Sequence, residues 1–471
     1  MSRLIVSLPG IIGTSGSDLV VGKEDNAFPA IGIEVLKKGV IDTQAGNDTI
    51  KGSGTGGDGS FDDAGTGTGI ANSGIINAGI GDDTISGTGT GGFEYRTYVP
   101  GIGISNTQGG YINGGDGKDF IFGTGAGGDG NGGDGKDFIF GTGTGGDGYG
   151  IGVATGINNT QNSRIDGGKG DDLISGNGIG EYQGSAIGIS NTEGSNINGG
   201  EGNDSISGTA GSGASVVGAN ATGIFNSGGS NINGGEGNNS ITGIGKGGDG
   251  EAAGGGGSDT LAGNGIGISN SKGSVISTGQ GNDFLSGTGT GGAGNEIPFE
   301  ADKVAPGVGI GIVNNGIINL GDGKDTIIGK GISQGIGIVN TNGIIYEGAG
   351  SDILTGYGTS VGIQGGTIDG GNGNDYFKAR RIDTKGNPVS NQGGAIANVL
   401  IKGGYGDDTF DVGYGNATLD GGAGSDKLIL PDFKSDYIIT GTSNNYTIKR
   451  DQFTLNVLNA EEIVFLGVPP R

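Results

Sequence analysis

The chain has 471 residues, 121 of them Gly, with 31% hydrophobic content and a net charge of −25 from 50 acidic and 25 basic residues. Only 9 Pro and no three-residue Gly period exclude collagen, and the acidic excess disfavours nucleic acid phosphates and anionic lipid as partners while attracting cations. His and Cys are both absent, which removes His general bases, Ser-His-Asp triads, disulfides and zinc held by His or Cys.

The first residues, MSRLIVSLPGIIGTSG, are briefly apolar and broken by Pro9. They do not read as a cleaved signal peptide, and no run of 18 apolar residues predicts a transmembrane helix. Residues 1–40 are expected to form an N-terminal cap and a first degenerate coil, with Asp18 in the turn GTSGSD. A fixed pattern then sets in: an apolar residue, a Gly-rich turn closed by Asp, another apolar residue. Ile112, Asp119 and Ile121 fit it, as do Ile165, Asp172 and Ile174, and Ile197, Asp204 and Ile206. Ile276, Asp283 and Leu285 repeat it, followed by Ile318, Asp325 and Ile327, and by Leu419, Asp426 and Leu428. Self-similarity at fixed spacing predicts a solenoid, and apolar residues kept in register argue against disorder.

The turn acids are Asp48, Asp83, Asp119, Asp137, Asp172, Asp204, Asp283, Asp325, Asp352, Asp375, Asp408 and Asp426, with Asn239 at one equivalent position. Steps near 35 residues dominate, and those from Asp325 to Asp352 to Asp375 are shorter. Nine-residue half-turns of a two-sided roll would place Asp325 and Asp352 on opposite edges. Three strands per coil return them to one corner, and DTIIGKGIS, QGIGIVNTN and GIIYEGAGS supply three segments with period-2 alternation. Longer steps read as insertions at one corner, after GTGTGG-like segments. Asn72, Asn106, Asn191, Asn226, Asn270, Asn314 and Asn340 end GIGIxN-type strands and predict a second, structural ladder of stacked side chains. The fold class is therefore all-β: a right-handed parallel β-solenoid, with long repeats over 41–378 and short roll-like coils over 379–426. From Lys427 the Gly repeats stop, and residues 427–471, rich in aromatic and β-branched residues, are expected to cap the open end.

GGDGKDFIF, GGKGDDLIS, GGEGNDSIS and GGNGNDYFK resemble the RTX nonapeptide GGxGxDxUx of secreted bacterial calcium-binding proteins. The tail is similar too, with Asp436-Tyr437 followed by Glu462-Ile463-Val464-Phe465. The GIGISNTxGSxI segments look more like long-repeat surface proteins of cyanobacteria. This resemblance implies type I secretion through an uncleaved C-terminal signal. It also implies Ca²⁺ held between coils by the twelve turn Asp residues and neighbouring Gly carbonyls. Departures occur at Asn239, at Gly255–Asp259, at Asp137 (with Gly130 where Ile belongs), and in coils longer than the family's 18 residues.

Electrostatics also points to a cation. Carboxylates stacked about 5 Å apart repel by about 1 kcal/mol per pair even in water, and no Lys or Arg regularly accompanies them. The competing reading is an Asx-turn that needs no metal. Catalysis is not expected, because the acids repeat as turn elements. The non-repeating Glu94, Glu296, Glu300 and Asp302, in corner insertions, are the place to look for a glycan site. The expected role is a secreted, extracellular Ca²⁺-binding solenoid, a structural or adhesive component of a bacterial surface, self-assembling or bound to cell-surface polysaccharide. The alternatives are a carbohydrate-active or carbohydrate-binding β-helix and an ice-binding segment built on Thr88, Thr90, Thr142, Thr144, Thr288 and Thr290.

Overall fold

The computed structural model describes residues 2–59, 64–92, 101–126, 153–180, 184–213, 218–250, 262–294, 304–390 and 392–467. Asp137 and the insertion acids Glu94, Glu296, Glu300 and Asp302 lie outside the described residues, as do Asp259, Thr142 and Thr144.

Most coils contribute three strands. One coil consists of Gly101–Asn106, Tyr111–Asp116 and Phe120–Ala126, which define a first, second and third face. In the last coils a single long strand, Gly393–Tyr405 and then Tyr414–Ala423, spans the first two faces. Every face pairs in parallel with the same face of the next coil: Ile104 with Ile157, Ile112 with Ile165, Ile121 with Ile174. The third face forms a continuous sheet of 14 strands from Leu19–Ala27 to Glu462–Phe465, and the other two faces join into a second sheet. Stacked at about 4.8 Å per coil, fourteen rungs make a rod on the order of 60 Å long. The chain is thus a parallel β-solenoid. The N-terminal segment already belongs to it, since Leu4–Val6 pairs with Ala30–Val35 and Leu19–Ala27 with Thr49–Gly56.

Period-2 alternation decides what points inward. In Thr84–Thr90, Ile85, Gly87 and Gly89 face the interior while Thr88 faces solvent. One aliphatic per face fills the wide part of each coil: Ile104, Ile112 and Ile121 are no more than 1% exposed. Away from this triangle the first and third faces close directly on each other. A Cβ on Gly87 would strike the Gly103 carbonyl, and one on Gly103 would strike the backbone of Gly123 and Thr124. Glycine at these positions allows close approach of two sheets that any side chain would hold apart. This explains how a chain so poor in apolar residues buries a continuous core.

Coil length varies most at the corner between the third and first faces, where the predicted insertions fall. The strands on either side keep their register: Phe120–Ala126 pairs directly with Leu173–Gly180. The 53 residues from Asp119 to Asp172 therefore make one step of the coil. Towards the C-terminus aromatic residues replace Ile in the core, with Phe377 and Phe410 stacked at 5.2 Å. Beyond Lys427–Leu430, an antiparallel meander of Ile438–Thr442, Asn445–Arg450 and Phe453–Leu458 covers the end. Phe453–Leu458 pairs in parallel with Tyr414–Ala423, so the last coil does not end on an open edge there. Arg450 pairs with Asp432 and lies 4.6 Å over the Tyr414 ring, anchoring this cap.

Candidate metal-binding ladder

Two polar ladders run along the corners of the solenoid. The first stands at the end of the first face. Asn72, Asn106, Asn159, Asn191, Asn226, Asn270, Asn314 and Asn340 are buried, and each Nδ2 donates to the next Oδ1 at 2.8–2.9 Å. Each Nδ2 also reaches backbone carbonyls, as Asn191 does with Ser195 and Asn231. An amide carries both donor and acceptor, so this stack is complete in itself. Asn159 belongs to the row too: its strand, VATGINN, ends in the same ATGIxN form as that of Asn226, although it is not among the predicted Asn residues.

The second ladder is the predicted Asp corner, between the second and third faces. The turn that precedes each Asp requires glycine. Gly115 and Gly117 have φ of 119° and 148°, and a Cβ on either would collide with carbonyls of the preceding coil. The turn turns the Asp inward, and eleven of the twelve predicted residues form one row with Asn239 in sequence. The amide of Asp48 donates to Asp83 Oδ1, Asp83 to Asp119, Asp119 to Asp172, Asp172 to Asp204, and Asp204 to Asn239. The row continues through Asp283, Asp325, Asp352, Asp375, Asp408 and Asp426, all at 2.6–2.9 Å. Asp18 opens it and Glu461 closes it. The competing Asx-turn reading placed the side chain on its own turn; here each carboxylate instead caps the coil before it.

This leaves the second oxygen. Oδ2 of Asp48, Asp83, Asp119, Asp172, Asp204, Asp283, Asp325, Asp352, Asp375, Asp408 and Asp426 is buried with no hydrogen-bond partner. Only the ends differ. Asp18 Oδ2 accepts from the Thr14 amide, and Glu461 Oε1 from Asn444 Nδ2.

Asn239 shows what surrounds that atom. Its Oδ1 keeps the rung, and its Nδ2 donates to the carbonyls of Gly237 at 3.1 Å and Thr278 at 3.0 Å. The Nδ2 position of Asn239 is the Oδ2 position of every Asp. At Asp119, Oδ2 and the Gly167 carbonyl, the counterpart of Thr278, crowd the same point beside Gly114; Asp172 with Gly199 and Asp204 with Gly234 repeat this. The interior oxygen therefore faces carbonyl oxygens, an arrangement that needs either a proton on the carboxyl or a cation among the oxygens. Burial raises these carboxyls from their usual range to about 7 at Asp119, Asp172, Asp352 and Asp408, and to about 6 at Asp83, Asp204, Asp325 and Asp375. The amide bond of the preceding coil opposes that rise, and in most rungs neighbouring acids add to it. The donor set is all oxygen, which suits a hard cation such as Ca²⁺ or Mg²⁺ and gives a soft metal nothing to prefer.

The described residues bring together one further acidic group. Glu347, Asp352 and Asp375 offer carboxylate oxygens that all lie within 4.8 Å of one another. The acidic ladder and this cluster are both arrangements able to hold metal ions. No described helix is long and apolar enough to cross a membrane. No family model matches the chain, and no curated protein sequence matches it.

Proposed function

We propose that the chain is a Ca²⁺-stabilised β-solenoid, exported from a bacterial cell and used as a structural or adhesive rod at its surface. One observation carries the metal half of this reading: a buried Oδ2 faces carbonyl oxygens on coil after coil, while Asn239 fills the same place with a donor. Asp119, Asp172 and Asp204 would each contribute Oδ2, with Gly carbonyls of their own and the following coil completing the oxygen set. A bound ion would then join adjacent coils, so that its binding free energy becomes folding free energy. A cell interior poor in Ca²⁺ leaves the acidic turns repelling one another, and millimolar Ca²⁺ outside favours the coiled state. The RTX-like turns GGDGKD and GGKGDD and the tail resemblance support export by the C-terminal route.

Two experiments test the halves separately. Equilibrium dialysis with Ca²⁺ should count close to one ion per Asp rung, and binding of none would reject the metal half. Residues 427–471 fused to a passenger should carry it out of a cell with a type I exporter. Retention of the fusion would reject the export half. Fusion is preferable to truncation, because Lys427–Leu430 and Phe453–Leu458 also pair with the last coils.

A carbohydrate-binding reading is favoured by one feature. An open groove of about 620 Å³ follows the second face, lined by amides and acids including Asn113, Asp166, Asn198, Glu201, Asn233 and Glu236. Binding of surface polysaccharide along this groove, read on a glycan array, would add adhesion to the structural role.

A further inference from the structure

The column of inward residues beside the Asp corner is small or apolar in almost every coil. In register it runs Thr43, Ala78, Gly114, Gly167, Gly199, Gly234, Thr278, Leu320, Glu347, Gly370 and Gly403. The two threonines show how a polar side chain is accommodated there. Thr43 Oγ1 donates to the Ala78 carbonyl at 2.6 Å and Thr278 Oγ1 to the Leu320 carbonyl at 2.8 Å, each on the following coil. Glu347 has no such solution when ionised. It is 0% exposed, and both its carboxylate oxygens lack a partner. Its neighbours are Asp352 and Asp375, each with an unpartnered Oδ2. Three carboxylates with four buried, unpartnered oxygens between them thus meet, one oxygen of each within 4.8 Å of the others, and among the described residues no Lys or Arg is buried. An isolated carboxylate so placed costs several kcal/mol unless something compensates it.

From this we infer that Glu347, Asp352 and Asp375 form an internal site for a single hard divalent cation, of which Ca²⁺ fits best. Glu347 and the Oδ2 atoms of Asp352 and Asp375 supply four oxygens, both Oδ1 atoms being engaged by backbone amides, and the Gly403 carbonyl beside Asp375 Oδ2 extends the all-oxygen set that suits Ca²⁺. The ion is enclosed between two coils and lies against Gly370, whose lack of a side chain leaves room beside Asp375 Oδ2. The site uses two ladder acids but stands on Glu347, which no other coil matches among the described residues, and it does not depend on the rest of the ladder being occupied. Because it is closed to solvent, its ion exchanges slowly and pins the coils from Ile344 to Phe377.

The test counts ions in the full chain after Ca²⁺ loading and brief chelation with EDTA, for the parent, Glu347→Leu, Glu347→Gln and Asp204→Asn. Leu is tolerated at this column, as Leu320 shows in the preceding coil. The parent and Asp204→Asn should retain one slowly exchanging ion that both Glu347 variants lose. Hydrogen exchange over 344–377 in the parent should slow on adding Ca²⁺, giving a readout that needs no variant. If the Glu347 variants retain the same ions at the same exchange rate, or the parent shows neither a slow ion nor a Ca²⁺ effect on this exchange, the site does not exist. A parent that holds only this one ion before chelation as well, lost in both Glu347 variants, would keep this inference and reject the ladder reading. Ions along the ladder with none lost on changing Glu347 would do the reverse.

Discussion

The Asn row from Asn72 to Asn340 and the Asp row from Asp48 to Asp426 run along two corners of one solenoid, with one side chain per coil and similar burial. In both, an oxygen accepts a hydrogen bond from the neighbouring coil at 2.6–2.9 Å. They differ in the other terminal atom. The amide nitrogen finds carbonyls, whereas the carboxylate oxygen meets carbonyls it cannot bond. The difference teaches that stacking alone stabilises an amide row but leaves a carboxylate row dependent on what the medium supplies. Asn239 makes the contrast within a single row, because one atom changes there and the orphan disappears.

The largest expected effect is on the Asp row as a whole, through pH. In the metal-free chain the folded state holds protons on groups raised to about 6 or 7 from an unfolded value near 3.8. Raised folded values mean stability that is fully present below about pH 4 and lost as pH rises through 6 to 7. Metal-free melting temperature should therefore climb as pH falls from 8 towards 5, and saturating Ca²⁺ should flatten that dependence. A pH-independent melting temperature between 5 and 8 in EDTA would show that the row carries no raised carboxyls.

Next comes the Asn row, whose break is independent of metal. Asn226→Leu removes the donor to Asn270 Oδ1 and to the Ser230 and Val275 carbonyls, together with the acceptor for Asn191. Orphaning these groups should cost about 3 kcal/mol, equally in Ca²⁺ and in EDTA, by denaturant unfolding. A cost that vanishes in Ca²⁺ would mean the two corners are coupled.

Single changes in the Asp row are smaller and change sign with the medium. Asp204→Asn keeps the bond to the Asp172 amide and supplies a donor inside, so in EDTA at pH 8 it should stabilise by about 1 kcal/mol. In Ca²⁺ that gain should shrink, with one ion lost from the count. Asn239→Asp should do the opposite: it destabilises the metal-free chain slightly and adds one ion in Ca²⁺. If both substitutions act in the same direction, the comparison at Asn239 is wrong.

Much of this was legible in the sequence. The 27-residue step from Asp325 to Asp352 forced three strands per coil, and Asp352 indeed caps Asp325 along one corner. Asn159 was legible and overlooked: ATGINN repeats the ATGIFN of Asn226, and its register with Asn106 and Asn191 places it in the row. What else escaped had physical reasons. Glu461 closes the row from a segment without the Gly turn. Glu347 lay in plain view in GIIYEGAG. It stands where most repeats place Gly, and aligning that column by coil would have shown an acid among inward residues. The pairing of Oδ1 with a neighbouring amide, and hence the orphaned Oδ2, depends on the offset between coils and is not encoded in residue type.

The most direct test is a Ca²⁺ titration at pH 8 of the EDTA-treated chain, with bound ions counted while circular dichroism follows melting. At this pH protons no longer neutralise the row, so only a cation can. The account predicts a steep rise in melting temperature as ions bind, approaching one per Asp rung, with cooperation between adjacent coils. A chain that binds no Ca²⁺ and melts at the same temperature with and without it would contradict the account, leaving the Asp row as a purely structural stack.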